Sequence, residues 1–190
     1  FESKLTQEFR LHFDEKIAEM FQSIGIREGS VWIEVFHDGE NYYFNEVGFR
    51  YGGSVSIYPV DYFYQINQVA ADIHYALTGE SCISEHTSLI RSTLPRKKYY
   101  CIYPVHINAG TISSISGLDK IAQLENIVYL ATTKYLHDRI ESSGSFSQVF
   151  ALVHFVCNTT EECIQTIDRI HQMLVVFDEH GNLSLIHISE

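Results

Sequence analysis

Two runs of aromatic and β-branched residues, VWIEVF at 31–36 and NYYFNEV at 41–47, flank the turn sequence HDGEN at 37–41. Runs of this composition read as strands, and a glycine-containing turn between them reads as a hairpin. No other stretch restricts the fold so tightly, because the pairing commits this region to an antiparallel sheet. The hairpin also carries charge. Glu34 lies mid-strand, Glu46 ends the second strand, Arg50 follows four residues later, and Gly52 and Gly53 come directly after Tyr51.

Whether the two glutamates point the same way depends on register. An odd-numbered loop, with Gly39 in a left-handed bulge position, puts Glu34 and Glu46 on one face; a strict two-residue Asp38–Gly39 turn puts them on opposite faces. Simple alternation gives Glu34 the face of Trp32 and Phe36, and gives Glu46 the face of Tyr42 and Phe44. If the carboxylates do share a face, they repel among aromatic neighbours and need a cation between them. Mg²⁺ suits that place, since it favours carboxylate oxygens and usually takes only one or two from the protein. Arg50 then offers a planar fork of donors to a phosphoryl or acyl-phosphate group. The glycine pair lets backbone approach a ligand closely, with Tyr51 and Ser54 beside it as candidate substrate contacts. The competing reading is an edge hairpin with solvated glutamates and Arg50 in a surface ion pair.

The segments around the hairpin have clear periodicity. LHFDEKIAEMFQSIGI places Phe13, Ile17, Met20 and Phe21 at helical spacing, with Gly25 as a stop. DYFYQINQVAADIHYALTG reads as one amphipathic helix, with Tyr62, Phe63, Ile66, Val69, Ala70, Ile73 and Leu77 as its stripe and Gly79 as its end. Residues 81–98 lack periodicity and read as a linker between residues 1–80 and residues 99–190. The later part reads as an α+β lobe. Strands are expected at YYCIYPVHI, GTISSIS, NIVYLAT and QVFALVHFVC, the last mostly apolar and therefore central. Helices are expected at GLDKIAQL and TTEECIQTIDRIHQML. Thr159 and Glu162 have the form of a capping box, and Ile164, Ile167, Ile170 and Leu174 form the buried stripe. His37 reads as a solvated turn residue, His106 and His154 as hydrogen-bonded strand residues, and Cys101 and Cys157 as buried hydrophobes.

Composition narrows the function classes. The net charge of −11 disfavours nucleic acid and anionic membrane as partners, so a phosphate must be held by a few placed cations or a metal. No apolar run reaches the roughly 18 residues of a membrane span. The four cysteines form no CxxC, and no signal-peptide pattern opens the sequence, so a cytoplasmic protein with reduced thiols is expected. The sequence opens on Phe1 rather than Met, which leads to the expectation of a piece of a longer protein.

The segment VWIEVFHDGENYYFNEVGFRYGG resembles the end of the ATP-grasp fold. There one strand carries an acidic residue, a turn follows, and the next strand ends in Glu-x-Asn-x-Arg. The twelve-residue step from Glu34 to Glu46 and the four-residue step to Arg50 both match. EKIAEMFQSIGIREGSVWIE before it resembles the helix, Gly-rich turn and strand that lead into this motif in that family, and DYFYQINQVAADIHYALTGE is similar to the helix that follows it. AGTISSISGLDKI resembles a segment of the small β-rich lobe that closes many ATP-grasp carboxylate–amine ligases and carbamoyl-phosphate-synthetase-like relatives.

The resemblance implies an α+β chain, the C-terminal half of an ATP-grasp fold (antiparallel sheet with helices) followed by a small β-rich lobe. It implies Glu34 and Glu46 as Mg²⁺ ligands between ATP phosphates, Arg50 at the γ-phosphate or acyl phosphate, and Gly52 and Gly53 beside the nucleotide. The implied reaction activates a carboxylate with ATP and joins it to an amine or similar nucleophile. Two departures stand out. The family's Asn, a further metal ligand, is Gly48 here. The resemblance implies that the adenine pocket and phosphate-binding lysines belong to an N-terminal ATP-grasp half lying outside residues 1–190. The implied partners are therefore that missing half and small carboxylate and amine substrates, with a homodimer as one possible arrangement; alone, the chain is expected to be inactive. The alternative is a non-catalytic binding or assembly module derived from the same fold.

Overall fold

A computed structural model describes residues 4–53, 55–83, 98–144 and 146–186. Ser54 and most of the expected linker, residues 84–97, lie outside the described residues. The chain divides into two compact units, Phe1–Pro95 and Arg96–Glu190.

The first unit opens with helix α1 (Lys4–Ser23). It stops where the sequence supplies Gly25: that residue has a φ of 87°, its N–H reaches the Gln22 carbonyl, and the Ile26 N–H reaches the Phe21 carbonyl. This pair of bonds satisfies carbonyls that a helix end leaves open. The hairpin follows as β1 (Trp32–His37) and β2 (Tyr42–Gly48). Phe9 and Phe13 of α1 pack on Tyr42 and Phe44 with ring centroids 5.5–5.7 Å apart, which seats the helix on one face of the hairpin. Met20, expected in the helix stripe, is exposed.

Asp38 builds the hairpin tip. Its carboxylate accepts from the N–H groups of Asn41 (2.8 Å) and Glu40 (2.9 Å) and from the Tyr43 hydroxyl (2.8 Å). These donors, the Asn41 N–H first, hold the Asp38 carboxyl well below the usual carboxylate range. A group with a lowered folded pKa stabilises the fold above its ordinary value of 3.8 and loses that contribution only as pH falls through the folded value. The tip is therefore expected to stay ordered on acidification past pH 3.8. Asp38→Ala removes that resistance, which amide exchange at Glu40 and Asn41 measures; equal exchange in both proteins refutes the role.

The expected single helix over 61–79 is two helices, α2 (Ile57–Tyr64) and α3 (Gln68–Thr78). Gln65 adopts a left-handed conformation with φ 56°, and Asn67 caps α3 by accepting from the Ala70 N–H at 3.0 Å. A cap residue satisfies donors that a continuous helix would bond internally, so local capping outcompetes the apolar periodicity here. The break changes the stripe: Ile66 is buried, while Ile73 and Leu77 are 56 % and 81 % exposed.

The second unit contains two three-stranded antiparallel sheets. One has the order β3 (Tyr99–His106), β7 (Val149–Cys157), β5 (Ile127–Thr132). The other has the order β6 (Arg139–Ile140), β4 (Gly110–Ser116), β8 (Val175–Asp178). β7 is central and buried along nearly its whole length, as its apolar run requires. Pro104 is tolerated because β3 is an edge strand in this order. Among the described residues the unit also has the α-helices α4 (Leu118–Ala122) and α5 (Thr160–Met173). Thr159 caps α5 by accepting from the Glu162 N–H at 3.1 Å. Glu162 reaches back to the Asn158 N–H at 2.7 Å, one residue earlier than in a standard capping box.

The buried cluster joins Val105, Ile112, Ile121, Phe155, Ile170 and Val176, among others. Ile164 is not part of it, being 59 % exposed; Cys163 and Ile167 pack against it instead, and Ile170 and Leu174 lie within it. His154 is fully buried and bonded to the Tyr100 hydroxyl at 3.0 Å. The Cys101 and Cys163 sulfurs lie 3.4 Å apart, and burial pushes the Cys163 thiol up to about 11, so it stays protonated at neutral pH. Among the described residues, no helix is long and apolar enough to cross a membrane.

Candidate functional site

Glu34 and Glu46 are direct cross-strand partners on β1 and β2. Antiparallel partners project to the same face, so the acids face the same side of the hairpin. The route to that pairing is neither of the two turns the sequence left open. Near the tip, His37 pairs with Tyr42 and the Asp38 N–H reaches the Asn41 carbonyl, which leaves Gly39 and Glu40 as a two-residue turn. That register, continued, would set Glu34 opposite Asn45. Instead the pairing shifts between Glu34 and Val35: Val35 faces Phe44 and Glu34 faces Glu46, with Asn45 as the extra residue of a β-bulge.

The bulge also corrects the expected neighbours of Glu46. Tyr42 and Phe44 lie on the α1 face, opposite the acids. The carboxylate face holds Trp32, Glu34, Phe36, Tyr43, Glu46 and Gly48. One strand thus feeds aromatics to the helix and an acid to the other side.

Each carboxylate is oriented through one oxygen. The Arg50 Nη2 donates to Glu46 Oε1 at 3.2 Å, and Arg50 Nη1 donates to the Tyr51 carbonyl at 3.1 Å. The Asn45 amide Nδ2 donates to Glu34 Oε1 at 2.5 Å. The Glu46–Arg50 pair is about half exposed, so as a surface ion pair it contributes little stability. Gly48 makes room for it: a Cβ at position 48 would lie 3.2 Å from Arg50 Nε and 3.3 Å from its Cγ.

The glycine loop folds back on the same face. A Cβ at Gly52 would come within 2.4 Å of the Trp32 ring and 2.7 Å of the Ser56 hydroxyl, so only glycine lets the backbone pass. Gly53 has open space around it. The Tyr51 hydroxyl donates to Asp72 Oδ2 of α3 at 2.7 Å, and burial, then this bond, pushes the hydroxyl pKa up. Gln68 of α3 reaches Ser30 Oγ at 3.4 Å. The loop is thereby tied to the helix that follows it.

The hairpin therefore brings together Glu34, Glu46 and Arg50, with Gly52 against Trp32. Tyr51 directs its hydroxyl to α3, and Ser54 lies outside the described residues. Asn45 and Asp72 escaped the sequence reading. The available signal for Asn45 was an asparagine inside a strand, where that residue is depleted. Among the described residues, no group of three or more His, Cys, Asp or Glu is placed to hold a metal.

The chain has a partial ATP-grasp fold, shared with part of each of two solved enzymes. L-amino acid ligase from Bacillus licheniformis superposes with a TM-score of 0.68 at 23 % identity, over 93 % of this chain and 43 % of that one. Phosphoribosylglycinamide synthetase from Anaerococcus prevotii superposes with a TM-score of 0.73 at 13 % identity, over 94 % of this chain and 44 % of that one. The chain thus spans less than half the length of either enzyme, and at these identities the likeness is one of fold. No protein-family model matches the chain, and no curated protein matches it in sequence.

Proposed function

We propose that this chain is part of an ATP-dependent ligase that activates a carboxylate as an acyl phosphate and joins it to an amine or similar nucleophile. The observation that carries the reading is the cross-strand pair Glu34–Glu46, with Arg50 bonded to it, on an ATP-grasp fold. Glu34 and Glu46 hold Mg²⁺. The donor set fits that ion: two hard carboxylate oxygens from facing positions, whose Cβ atoms such pairing holds roughly 5 Å apart, leave its remaining positions to water and phosphate. Bound Mg²⁺ supplies neutralisation of the phosphate charge that develops during transfer. Arg50 meets the γ-phosphate or the acyl phosphate, and Gly52 and Gly53 let the backbone approach the nucleotide.

A further segment, carrying the adenine pocket and the phosphate-binding lysines, completes the site. In support, Phe36 and Tyr43 on the carboxylate face are 60 % and 52 % exposed, an apolar surface left for further structure to cover. The L-amino acid ligase likeness makes amino acids the first carboxylates and amines to try.

The test is Mg²⁺-dependent ATP consumption by the ligase assembled with that segment, in the presence of amino acids. Glu46→Gln is expected to lower turnover by about 100-fold or more, the scale at which loss of one charge-stabilising group is felt. Turnover that Glu46→Gln leaves unchanged, or no effect of nucleotide at all, refutes the ligase reading; the second outcome favours the assembly module.

A further inference from the structure

We infer that Asn45 is a positioning residue of the carboxylate site, holding Glu34 in the orientation that receives the cation. The inference rests on the proposed ligase reading and adds a residue to it. Three observations carry it. Asn45 is the extra residue of the bulge, so no backbone partner across the ladder accounts for its place. Its amide reaches across to Glu34 Oε1 at 2.5 Å. Gly48, the neighbour of Glu46 on the same face, contributes no side chain, and the space its Cβ would take adjoins Arg50.

The physical need is plain. Facing carboxylates repel, and a free glutamate side chain turns its head away from such a partner. A donor fixed to one oxygen holds that head in place and directs the other oxygen outward. Groups that orient a metal-binding carboxylate in this way change metal affinity by about 10- to 100-fold when removed. The bulge is the device that puts an amide there: it adds one residue beside the Glu34–Glu46 pair and brings the two acids opposite each other.

Trp32 makes the test direct. It is the one tryptophan of the chain, and it sits two residues from Glu34 on the same face. Tb³⁺, a hard oxygen-seeking cation, bound at the carboxylates is excited through that indole, so its luminescence reports occupancy of this face. The chain is titrated with Tb³⁺ and back-titrated with Mg²⁺. Asn45→Leu keeps a side chain branched at Cγ and removes the donor; it is expected to weaken Tb³⁺ binding about tenfold. Asn45→Gln restores an amide and is expected to bind within about threefold of the natural chain on the same scale. Glu34→Gln is expected to lose the signal. Leucine and glutamine variants that titrate alike, or a leucine variant equal to the natural chain while Glu34→Gln weakens, overturns the role of Asn45 alone. A natural chain with no indole-sensitised signal, or one that Glu34→Gln leaves unchanged, overturns the cation site and the inference with it.

Discussion

Gly117→Ala is expected to destabilise the second unit by about 3 kcal/mol or more. Gly117 precedes α4 with a φ of 94°, in the left-handed region that side chains disfavour. A Cβ there would lie 1.9 Å from the Met173 carbonyl oxygen, at the end of α5. Backbone cannot yield as a flexible side chain can, so α4 and α5 must separate. Ile121 and Ile170, both fully buried, would lose contacts as they do. Gly181→Ala is the control. Its φ of 77° imposes the same kind of backbone cost, but nothing lies within 4 Å of its Cβ, and a loss of about 1 kcal/mol is expected. Urea unfolding followed by far-UV circular dichroism compares them. Equal midpoints for the two variants would refute the clash.

The next largest effect is expected at Phe155. Its side chain is fully buried on β7 in the cluster that holds Ile170 and Leu174. Truncation to alanine removes most of the ring's contacts and leaves a cavity, at a cost of about 3–5 kcal/mol. Ile164→Ala, on the exposed side of α5, is expected to change stability by less than about 0.5 kcal/mol. The contrast decides between two descriptions of α5. Helical spacing read from the sequence puts Ile164 in the buried stripe; the structure puts Cys163 and Thr166 there and turns Ile164 outward. A loss at Ile164 comparable with that at Phe155 would favour the sequence's version.

That case shows where the sequence is legible and where it is not. Strands stand out when their composition is extreme, as in the mostly apolar run of β7. A helix stripe is harder to place when small or polar residues do the packing. Thr166 is buried and accepts from the Asn126 amide at 2.8 Å, so it occupies a core position that a search for aliphatic residues passes over. The break between α2 and α3 went unread for a related reason. Ile66 keeps the apolar spacing across it, while the stop signal is a single Asn67 whose cap bond competes with helix continuation.

At the site, residue types were legible and geometry was not. Glu34, Glu46, Arg50 and the glycines announce themselves by chemistry and spacing. That the two acids pair depends on a bulge, and a bulge is a property of two strands together. Nothing local in FNEVG says that Asn45 stands outside the ladder. Its bond to Glu34 spans eleven residues of chain and exists only once the strands are aligned.

The bulge has a consequence for chain length. Across the two-residue turn at Gly39–Glu40, an uninterrupted ladder would join acids eleven positions apart; Glu34 and Glu46 are twelve apart. The hairpin therefore contains one residue of slack. A deletion between Tyr42 and Asn45 is absorbed by straightening the ladder, and the acids stay opposed. An insertion at the same place finds the slack already used, and swings Glu46 out of line with its partner.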